Sequence, residues 1–252
     1  ITLTDAGTVT GESVIETYVL SGTGNVFTLG AAGQSVNTGS GGSNTVDVAA
    51  LTATGTFTTQ TSDTIKISNG GNIAGAVKSG GSAGDAFTAT HLTLASGASA
   101  SMTRLQNNGF SGTVSAAGTN TLTMTTAGAV TALSGIEEYV LAAGAQTITL
   151  ADAAQNVTAN STGGSGLITI DTGSLTSVTG TFDDNSGNDT IKLLLSHTTG
   201  VDISTVTMTD VDNVGLDTDA KGTMTIAQHN VINSAAGSAN KVTLTAAGRS
   251  EE

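Results

Sequence analysis

The stretch Ile15–Leu20 (IETYVL) returns 121 residues later as Ile136–Leu141 (IEEYVL). The sequence DTIK likewise occurs twice, at Asp63–Lys66 and, after a slightly larger interval, at Asp189–Lys192. Internal duplication of this length is typical of arrays, in which each unit covers an apolar face that its neighbour cannot bury alone. The chain is therefore predicted to be largely one unit written twice, with a few residues inserted in the second copy.

Short segments of alternating polar and apolar residues recur about every 10 residues, with Gly, Asn, Ser or Asp between them. Thr147–Leu150 (TITL) is typical, because alternation of this kind places threonine outward and the aliphatic side chain inward on a strand. No window has sustained helical spacing of apolar residues, and the 34 glycines disfavour helix. The predicted strands are Ile15–Leu20, Val26–Leu29, Ser35–Thr38, Thr45–Val48, Gly55–Phe57, Thr64–Ile67, Ile136–Leu141, Thr147–Leu150, Asn156–Ala159, Leu167–Ile170, Val178–Phe182 and Asp189–Leu195.

Evenly spaced short strands fit either a parallel β-solenoid or tandem β-sandwich domains. Proline is absent, although sandwich loops normally use it, and aromatic residues are only 3% of the chain. Small branched side chains suit a narrow layered interior. The sequence therefore predicts an all-β chain folded as a parallel β-solenoid (a β-helix or β-roll) with about 20 residues in each coil, and tandem sandwiches are the alternative.

The duplication also predicts how the chain is divided. A first repeat unit covers residues 1–121 and a second covers 122–205. Residues 206–248 resemble the start of a unit and are predicted to be a partial third one, all within one continuous solenoid. Residues 249–252 (RSEE) break with the preceding composition and are predicted to be a tail outside the repeat, such as a cloning remnant.

Charge and composition exclude several function classes. The formal net charge of −13 argues against nucleic-acid binding, which needs clustered Lys and Arg, and against attraction to anionic lipid. Cysteine is absent, so disulfides and thiolate metal sites are excluded. No segment approaches the roughly 20 apolar residues of a membrane helix, so membrane insertion is not expected. Acidic oxygen ligands do suit hard cations such as calcium.

Calcium is the most specific chemistry that the sequence indicates. Residues 80–87 (GGSAGDAF) approach the frame G-G-x-G-x-D-x-U, in which glycines expose carbonyls and the aspartate adds a carboxylate. Residues 184–191 (DNSGNDTI) keep part of this frame. Asp85, Asp184 and Asp189 are therefore candidate calcium ligands. The alternative is a Gly/Asp turn without an ion.

A second acidic segment, residues 217–222 (DTDAKG), resembles the start of a calcium loop and makes Asp217 and Asp219 further candidates. Lys221 stands where another oxygen ligand is needed, and no acid closes a 12-residue loop. An exposed polar turn is the competing interpretation.

Enzymatic residues are weakly indicated. Asp183–Asp184 and Glu137–Glu138 could form acid/base pairs, because parallel β-helices include enzymes that cleave polysaccharides. Sugar clefts use aromatic platforms, however, and the chain has no Trp and two Tyr, which lie at equivalent places in the two copies. The three histidines have no zinc-site spacing, and no serine lies in a nucleophile elbow. We therefore predict no catalytic residues and no enzyme activity.

The segment Ala129–Glu137 (AVTALSGIE), followed by alternating Thr/apolar strands, resembles the repeat region of Caulobacter-type bacterial surface-layer (S-layer) proteins. These belong to the wider group of type-I-secreted RTX proteins and adhesins. The resemblance extends to the turn at residues 187–191 (GNDTI), but tandem copies of the full nonapeptide are missing. It implies a secreted, extracellular β-solenoid that is stabilised by calcium and tiles or projects from the cell surface.

The predicted function is a structural, non-enzymatic repeat segment of a secreted surface-layer or adhesin-like protein. Its expected partners are further copies of itself or neighbouring surface proteins, with cell-surface polysaccharide as another option. Two alternatives remain: a polysaccharide-active β-helix enzyme, and a carbohydrate- or ice-binding module. The module would need a regular array of threonines on one flat face.

Overall fold

The computed structural model describes residues 1–159, 166–185, 190–235 and 239–245. The chain divides into two compact units, Ile1–Thr125 and Thr126–Glu252, and each is a parallel β-solenoid. The predicted fold class is thus confirmed. The subdivision of the second half at residue 205 stays a prediction.

Unit 1 is built from short strands and one short helix. In chain order these are β1 (Thr2–Leu3), β2 (Thr8–Thr10), β3 (Thr17–Leu20), β4 (Val26–Thr28), β5 (Ser35–Asn37), β6 (Thr45–Asp47), β7 (Thr56–Thr58), β8 (Thr64–Ile67), β9 (Val77–Lys78), β10 (His91–Leu94), β11 (Ser99–Met102), α1 (Arg104–Gly109), β12 (Val114–Ser115) and β13 (Thr121–Met124).

Unit 2 repeats this organisation. Its elements are β14 (Gly128–Thr131), β15 (Glu138–Leu141), β16 (Gln146–Thr149), β17 (Asn156–Ala159), β18 (Leu167–Asp171), β19 (Thr181–Asp183), β20 (Thr190–Leu195), β21 (Val201–Asp202), β22 (Thr207–Thr209), β23 (Asn213–Leu216), β24 (Lys221–Met224), α2 (Ile226–Asn230), β25 (Ile232–Ala235) and β26 (Lys241–Leu244).

Successive strands mostly alternate between two sheets, so most coils contribute one strand to each of these two sheets. In unit 1 the sheet orders are β1-β3-β5-β7-β9 and β2-β4-β6-β8-β10-β12, and β11 pairs with β13 on a third face. In unit 2 the orders are β15-β17-β19-β22, β14-β16-β18-β20-β23-β25 and β21-β24-β26. The strand pairs within each unit are parallel. Parallel pairing of strands one coil apart defines a solenoid.

The core is a stack of aliphatic and aromatic side chains that meet in register. In unit 1, Phe27 pairs with Val46 and Val46 with Ile65, and all three are fully buried. Partners in this column are 19 residues apart, which is one coil and agrees with the predicted length. The aromatic rings that are present lie inside, and the centroids of Tyr18 and Phe27 are 4.3 Å apart.

Within the described ranges, two helices interrupt this all-strand pattern, and neither is predicted from the sequence. Each follows a capping box: Thr103 caps α1 with Gln106, and Thr225 caps α2 with Gln228. The threonine and glutamine satisfy free backbone N–H groups at the helix start. The helices have six and five residues and are therefore too short to produce helical periodicity. Among the described residues, no helix has the length or hydrophobicity needed to cross a membrane.

Candidate calcium-binding turns and the polar corners

The corners of the coils are closed by Asp and Asn side chains that accept a hydrogen bond from a backbone N–H two residues later. Asp47 Oδ1 accepts from Ala49 N at 2.8 Å, and Asp171 Oδ1 accepts from Gly173 N at 2.9 Å. Ala49 has φ +54°, a left-handed conformation that this local hydrogen bond helps to hold. The same turn recurs at Asn37, Asn72, Asp183 and Asp202. The corner acids thus have a structural task that needs no ion.

A buried polar ladder supports one corner of unit 1. Asp63 is fully buried, and its carboxylate accepts hydrogen bonds from Asn44 N at 2.8 Å and Gln60 N at 2.6 Å. The Thr38 hydroxyl donates to the same carboxylate at 2.5 Å. One coil earlier, Asn44 Oδ1 accepts from Asn25 N at 2.9 Å. The free energy lost by burying a carboxylate is much smaller when several donors bond to it than when it has none.

Glutamine side chains clamp the opposite corners. Gln155 is 1% exposed, and its Oε1 accepts from Ala151 N and Asp152 N at 2.8 and 3.1 Å. Its Nε2 donates to Leu133 O and Ile136 O, one coil earlier, at 2.9 Å each. Gln34 repeats this arrangement in unit 1, donating to Glu12 O and Ile15 O. The glutamines of the two capping boxes also bond to the preceding coil, Gln106 to Ile73 O and Gln228 to Ile203 O.

The tyrosines brace these clamped corners from inside. Tyr139 Oη accepts a hydrogen bond from Leu133 N at 2.7 Å, and Tyr18 Oη accepts from Glu12 N at 2.6 Å. Burial raises the pKa of Tyr139 well above its usual value. The hydrogen bond donated by Leu133 N lowers this pKa, and the nearby Asp152 carboxylate raises it further. The phenol therefore serves as a neutral acceptor in the folded chain.

In unit 2, the Asp152 carboxylate makes corner hydrogen bonds that have no equivalent in unit 1. Asp152 accepts from Ser134 Oγ at 3.2 Å and from Gly135 N at 2.6 Å. The residue 121 positions earlier is Ala31, which has no carboxylate to offer. A shallow depression of about 340 Å³ lies there in unit 1, lined in part by Ser13 and Ala31.

Asp85, the first calcium candidate, is half-buried and follows the exposed residues 79–83 of unit 1. Its Oδ2 accepts a hydrogen bond from Ser82 N at 2.7 Å, and its own N donates to Ser82 O at 3.2 Å. Gly80 and Gly84 have positive φ values of +75° and +80°, as the glycine frame requires. Two glycines of this turn thus adopt the left-handed conformation, and the carboxylate of Asp85 closes the turn.

The remaining candidates, Asp184, Asp189, Asp217 and Asp219, belong to unit 2. Asp184 is fully buried. Asp217 is exposed and its Oδ1 accepts from Thr218 N at 2.7 Å, while Asp219 is an exposed residue with φ +59°. Asp189 lies outside the described residues. Within the described ranges, no three acidic or histidine side chains are grouped so that they could hold a metal ion. Calcium binding stays a prediction.

The candidate acid pairs also have local partners. Asp183 Oδ1 accepts from Asn185 N at 2.7 Å. Glu138 lies at the start of β15, where its register partner is Asn156. His91 and His197 each contact a neighbouring threonine hydroxyl, Thr90 and Thr199. The hydrogen bonds of Asp183, His91 and His197 join residues one or two positions apart in the chain.

The outward columns of the sheets vary in composition. One column of unit 1 reads Thr8, Val26, Thr45, Thr64 and His91 in register. Valine and histidine therefore interrupt the threonines. The regular array that an ice- or carbohydrate-binding face would need is not continuous in this column.

One ion pair lies on the same sheet of unit 1. Lys66 Nζ is 2.7 Å from Asp47 Oδ2, and the two residues are direct register partners on β8 and β6. Unit 2 contains the equivalent Asp171 and Lys192, but there Lys192 is in register with Thr169. Asp171 instead accepts from the Ser196 hydroxyl. The duplicated residues thus make different contacts in the two units.

The polar corners, rather than one cluster of reactive groups, are therefore the recurrent feature of both units. Sequence reasoning missed the glutamine clamps, although the matched pair Gln34 and Gln155 and the two T-x-x-Q boxes signalled them. Comparison of the chain with protein family models, curated proteins and solved structures finds no match.

Proposed function

We propose that this chain is a structural, non-enzymatic segment of a secreted bacterial surface protein of the surface-layer or adhesin type. The observation that supports this proposal is the use of the buried polar side chains. Gln34, Gln155 and Asp63 are each directed at backbone groups of their own or the adjacent coil. Such side chains stabilise a stack of coils and leave its outer faces for contacts with other molecules.

The mechanism is geometric. Each coil presents its strand edges to the next, and the parallel ladders stiffen the stack in the direction of stacking. Outward Thr, Ser and Asn side chains supply hydrogen-bonding surface for copies of the chain, neighbouring surface proteins or polysaccharide. Calcium would act at exposed turns such as those of Asp85 and of Asp217–Asp219, where it would add bonds between an acid and backbone carbonyls.

Thermal unfolding with calcium, with magnesium and with chelator tests this proposal. We expect calcium to raise the melting temperature more than magnesium does, and we expect Asp85→Asn to reduce that rise. Thr28→Ser, a change on a strand face, serves as the matched control. An identical melting temperature in calcium and in chelator would remove calcium from the proposal. Turnover of an acidic polysaccharide, abolished by Asp183→Asn, would replace the structural role with an enzymatic one.

A further inference from the structure

The six-stranded sheet of unit 1, β2-β4-β6-β8-β10-β12, directs every second side chain outward. These outward side chains form two columns in register, which together are called the β2–β12 face. With histidine neutral, the two columns carry one negative and one positive charge, and most of their other side chains are hydroxyls. The first column is Thr8, Val26, Thr45, Thr64 and His91, and the second is Thr10, Thr28, Asp47, Lys66, Thr93 and Ser115.

The two charges lie at the centre of this face. Asp47 is on β6 and Lys66 is on β8, which are the third and fourth of the six strands. Lys66 Nζ is 2.7 Å from Asp47 Oδ2, and the side chains are 37% and 9% exposed, respectively. Lys66 is therefore the charged group that a molecule on this face meets first.

A two-fold axis between β6 and β8, parallel to the strands, makes the β2–β12 face complementary to itself. This operation lays β6 of one copy over β8 of the other, and β4 over β10. Lys66 of each copy then lies over Asp47 of the other, and Thr28 lies over Thr93. An isologous interface requires a patch of this kind, in which residue i meets residue j and j meets i.

The corresponding sheet of unit 2 lacks this complementarity. Its central strands are β18 and β20, whose register places Lys192 beside Thr169 and Leu194 beside Asp171. The same operation would press Asp171 of one copy onto Leu194 of the other. That carboxylate would lose water without gaining a donor, which is unfavourable. The duplicated sheets therefore differ in the property that a two-fold contact needs.

The distribution of charge also favours a contact through unit 1. Of the 20 acidic and 7 basic residues of the chain, six acidic and three basic residues lie in residues 1–125. The other fourteen acidic and four basic residues lie in residues 126–252, which therefore carry most of the negative charge. Like net charges repel two copies of a protein, and the repulsion is smaller where fewer charges face each other.

We propose that the β2–β12 face binds the same face of a second copy of this chain, with the two copies related by this two-fold axis. This inference rests on the proposed structural function and supplies its lateral partner. Sheets that pack face to face lie about 10 Å apart, and a lysine side chain can cross most of that gap. Lys66 thus reaches toward Asp47 of the second copy, and the facing threonines supply donors and acceptors around it.

The contact is small. The six strands are two to four residues long, so the face measures roughly 25 Å by 10 Å. A stable interface buries about 800 Å² on each partner, which is well above this area. We therefore expect a weak contact, with a Kd of about 0.1–1 mM. Copies held side by side on a surface have a high effective concentration, which makes contacts of this strength sufficient.

Sedimentation equilibrium of the full-length chain in chelator measures this contact without calcium. We expect a reversible dimer at about 1 mM chain. Lys66→Glu should weaken its Kd at least about fivefold, because it replaces two attractions with repulsions. Lys192→Glu is the matched control, since it makes the same change of charge at an outward position in unit 2 and should leave the Kd within about twofold. Circular dichroism verifies that both variants are folded.

Cross-linking tests the register, since the chain has no cysteine of its own. Thr28→Cys and Thr93→Cys are made in separate full-length chains, mixed and treated with a bismaleimide that spans about 10 Å. In the mismatched control, Thr149→Cys, its equivalent in unit 2, replaces Thr28→Cys. We expect the matched mixed dimer to exceed the mismatched one severalfold. Its yield should fall to the mismatched level when Lys66→Glu is added to both chains.

Three results would overturn the inference. They are a chain that stays monomeric up to about 1 mM, equal effects of Lys66→Glu and Lys192→Glu, and a mismatched dimer as abundant as the matched one. Because these experiments contain no calcium, their outcome is independent of the calcium melting experiment. The proposed function can therefore fail or survive separately.

Discussion

Replacement of Gln155 by alanine should weaken unit 2 strongly. Gln155 Nε2 donates to two carbonyls of the preceding coil, those of Leu133 and Ile136, and both bonds are buried. A buried polar group left without a partner costs about 1–3 kcal/mol, so two carbonyls give roughly 2–6 kcal/mol. The two N–H groups that bond to Oε1 lie at partly exposed residues, where water can replace the amide.

The measurement is denaturant unfolding followed by far-UV circular dichroism, combined with hydrogen exchange to assign the weakened coils. Exchange should accelerate around residues 133–155 in Gln155→Ala and around residues 12–34 in the equivalent Gln34→Ala. Gln60→Ala is the matched control, because Gln60 is half-exposed and its hydrogen bonds with Asp63 are made by its backbone N and O. Its effect should stay within about 0.5 kcal/mol. A loss below about 1 kcal/mol for Gln155→Ala would refute the clamp interpretation.

Two further predictions concern the same corners. Ala31→Asp should raise the free energy of unfolding of unit 1 by about 0.5–1.5 kcal/mol, because it recreates the acceptor that Asp152 provides to Ser134 and Gly135. Asp152→Ala should lower the free energy of unfolding of unit 2 by a similar amount. A destabilised Ala31→Asp or a stabilised Asp152→Ala in thermal melting would contradict this. Because the folded-state pKa of Tyr139 is raised, the folded chain retains this proton while the unfolded chain loses it above about pH 10. The free energy of unfolding should therefore fall as the pH rises beyond about 10, and it should fall less steeply in Tyr139→Phe. The measurement is denaturant unfolding at about pH 8–11. An equal decline with pH in the two chains would show that Tyr139 does not contribute.

Several parts of the fold could be predicted because they depend on local pattern. Alternation in segments such as Thr64–Ile67 places every second side chain inward, and the structure buries Ile65 and Ile67. The two helices were missed because one helical turn has no periodicity to detect. Their capping boxes, Thr103 with Gln106 and Thr225 with Gln228, are a purely local signal that could have identified them.

The candidate calcium site was harder to predict than the strands, because an Asp in a Gly-rich turn can have either of two roles. The side chain of Asp85 can bind an ion or accept a backbone N–H, and both roles use the same glycine conformations. Whether further acids approach depends on which turns the coils bring together. That depends on coil length, which a motif of eight residues does not specify.

The sequence by itself determined the strand faces and the duplication, because these are set by side-chain alternation and by the positions of turn residues. Only the tertiary structure decided which duplicated residues meet. Asp47 and Lys66 are 19 residues apart, whereas Asp171 and Lys192 are 21 apart. The register distance between the two strands is 19 residues in unit 1 (Asp47 to Lys66) but 23 in unit 2 (Thr169 to Lys192). The coil is therefore four residues longer while the Asp–Lys spacing is only two longer, so Lys192 stays outward but lies beside Thr169, two residues before Asp171. Equivalent residues therefore form an ion pair in one unit and separate in the other.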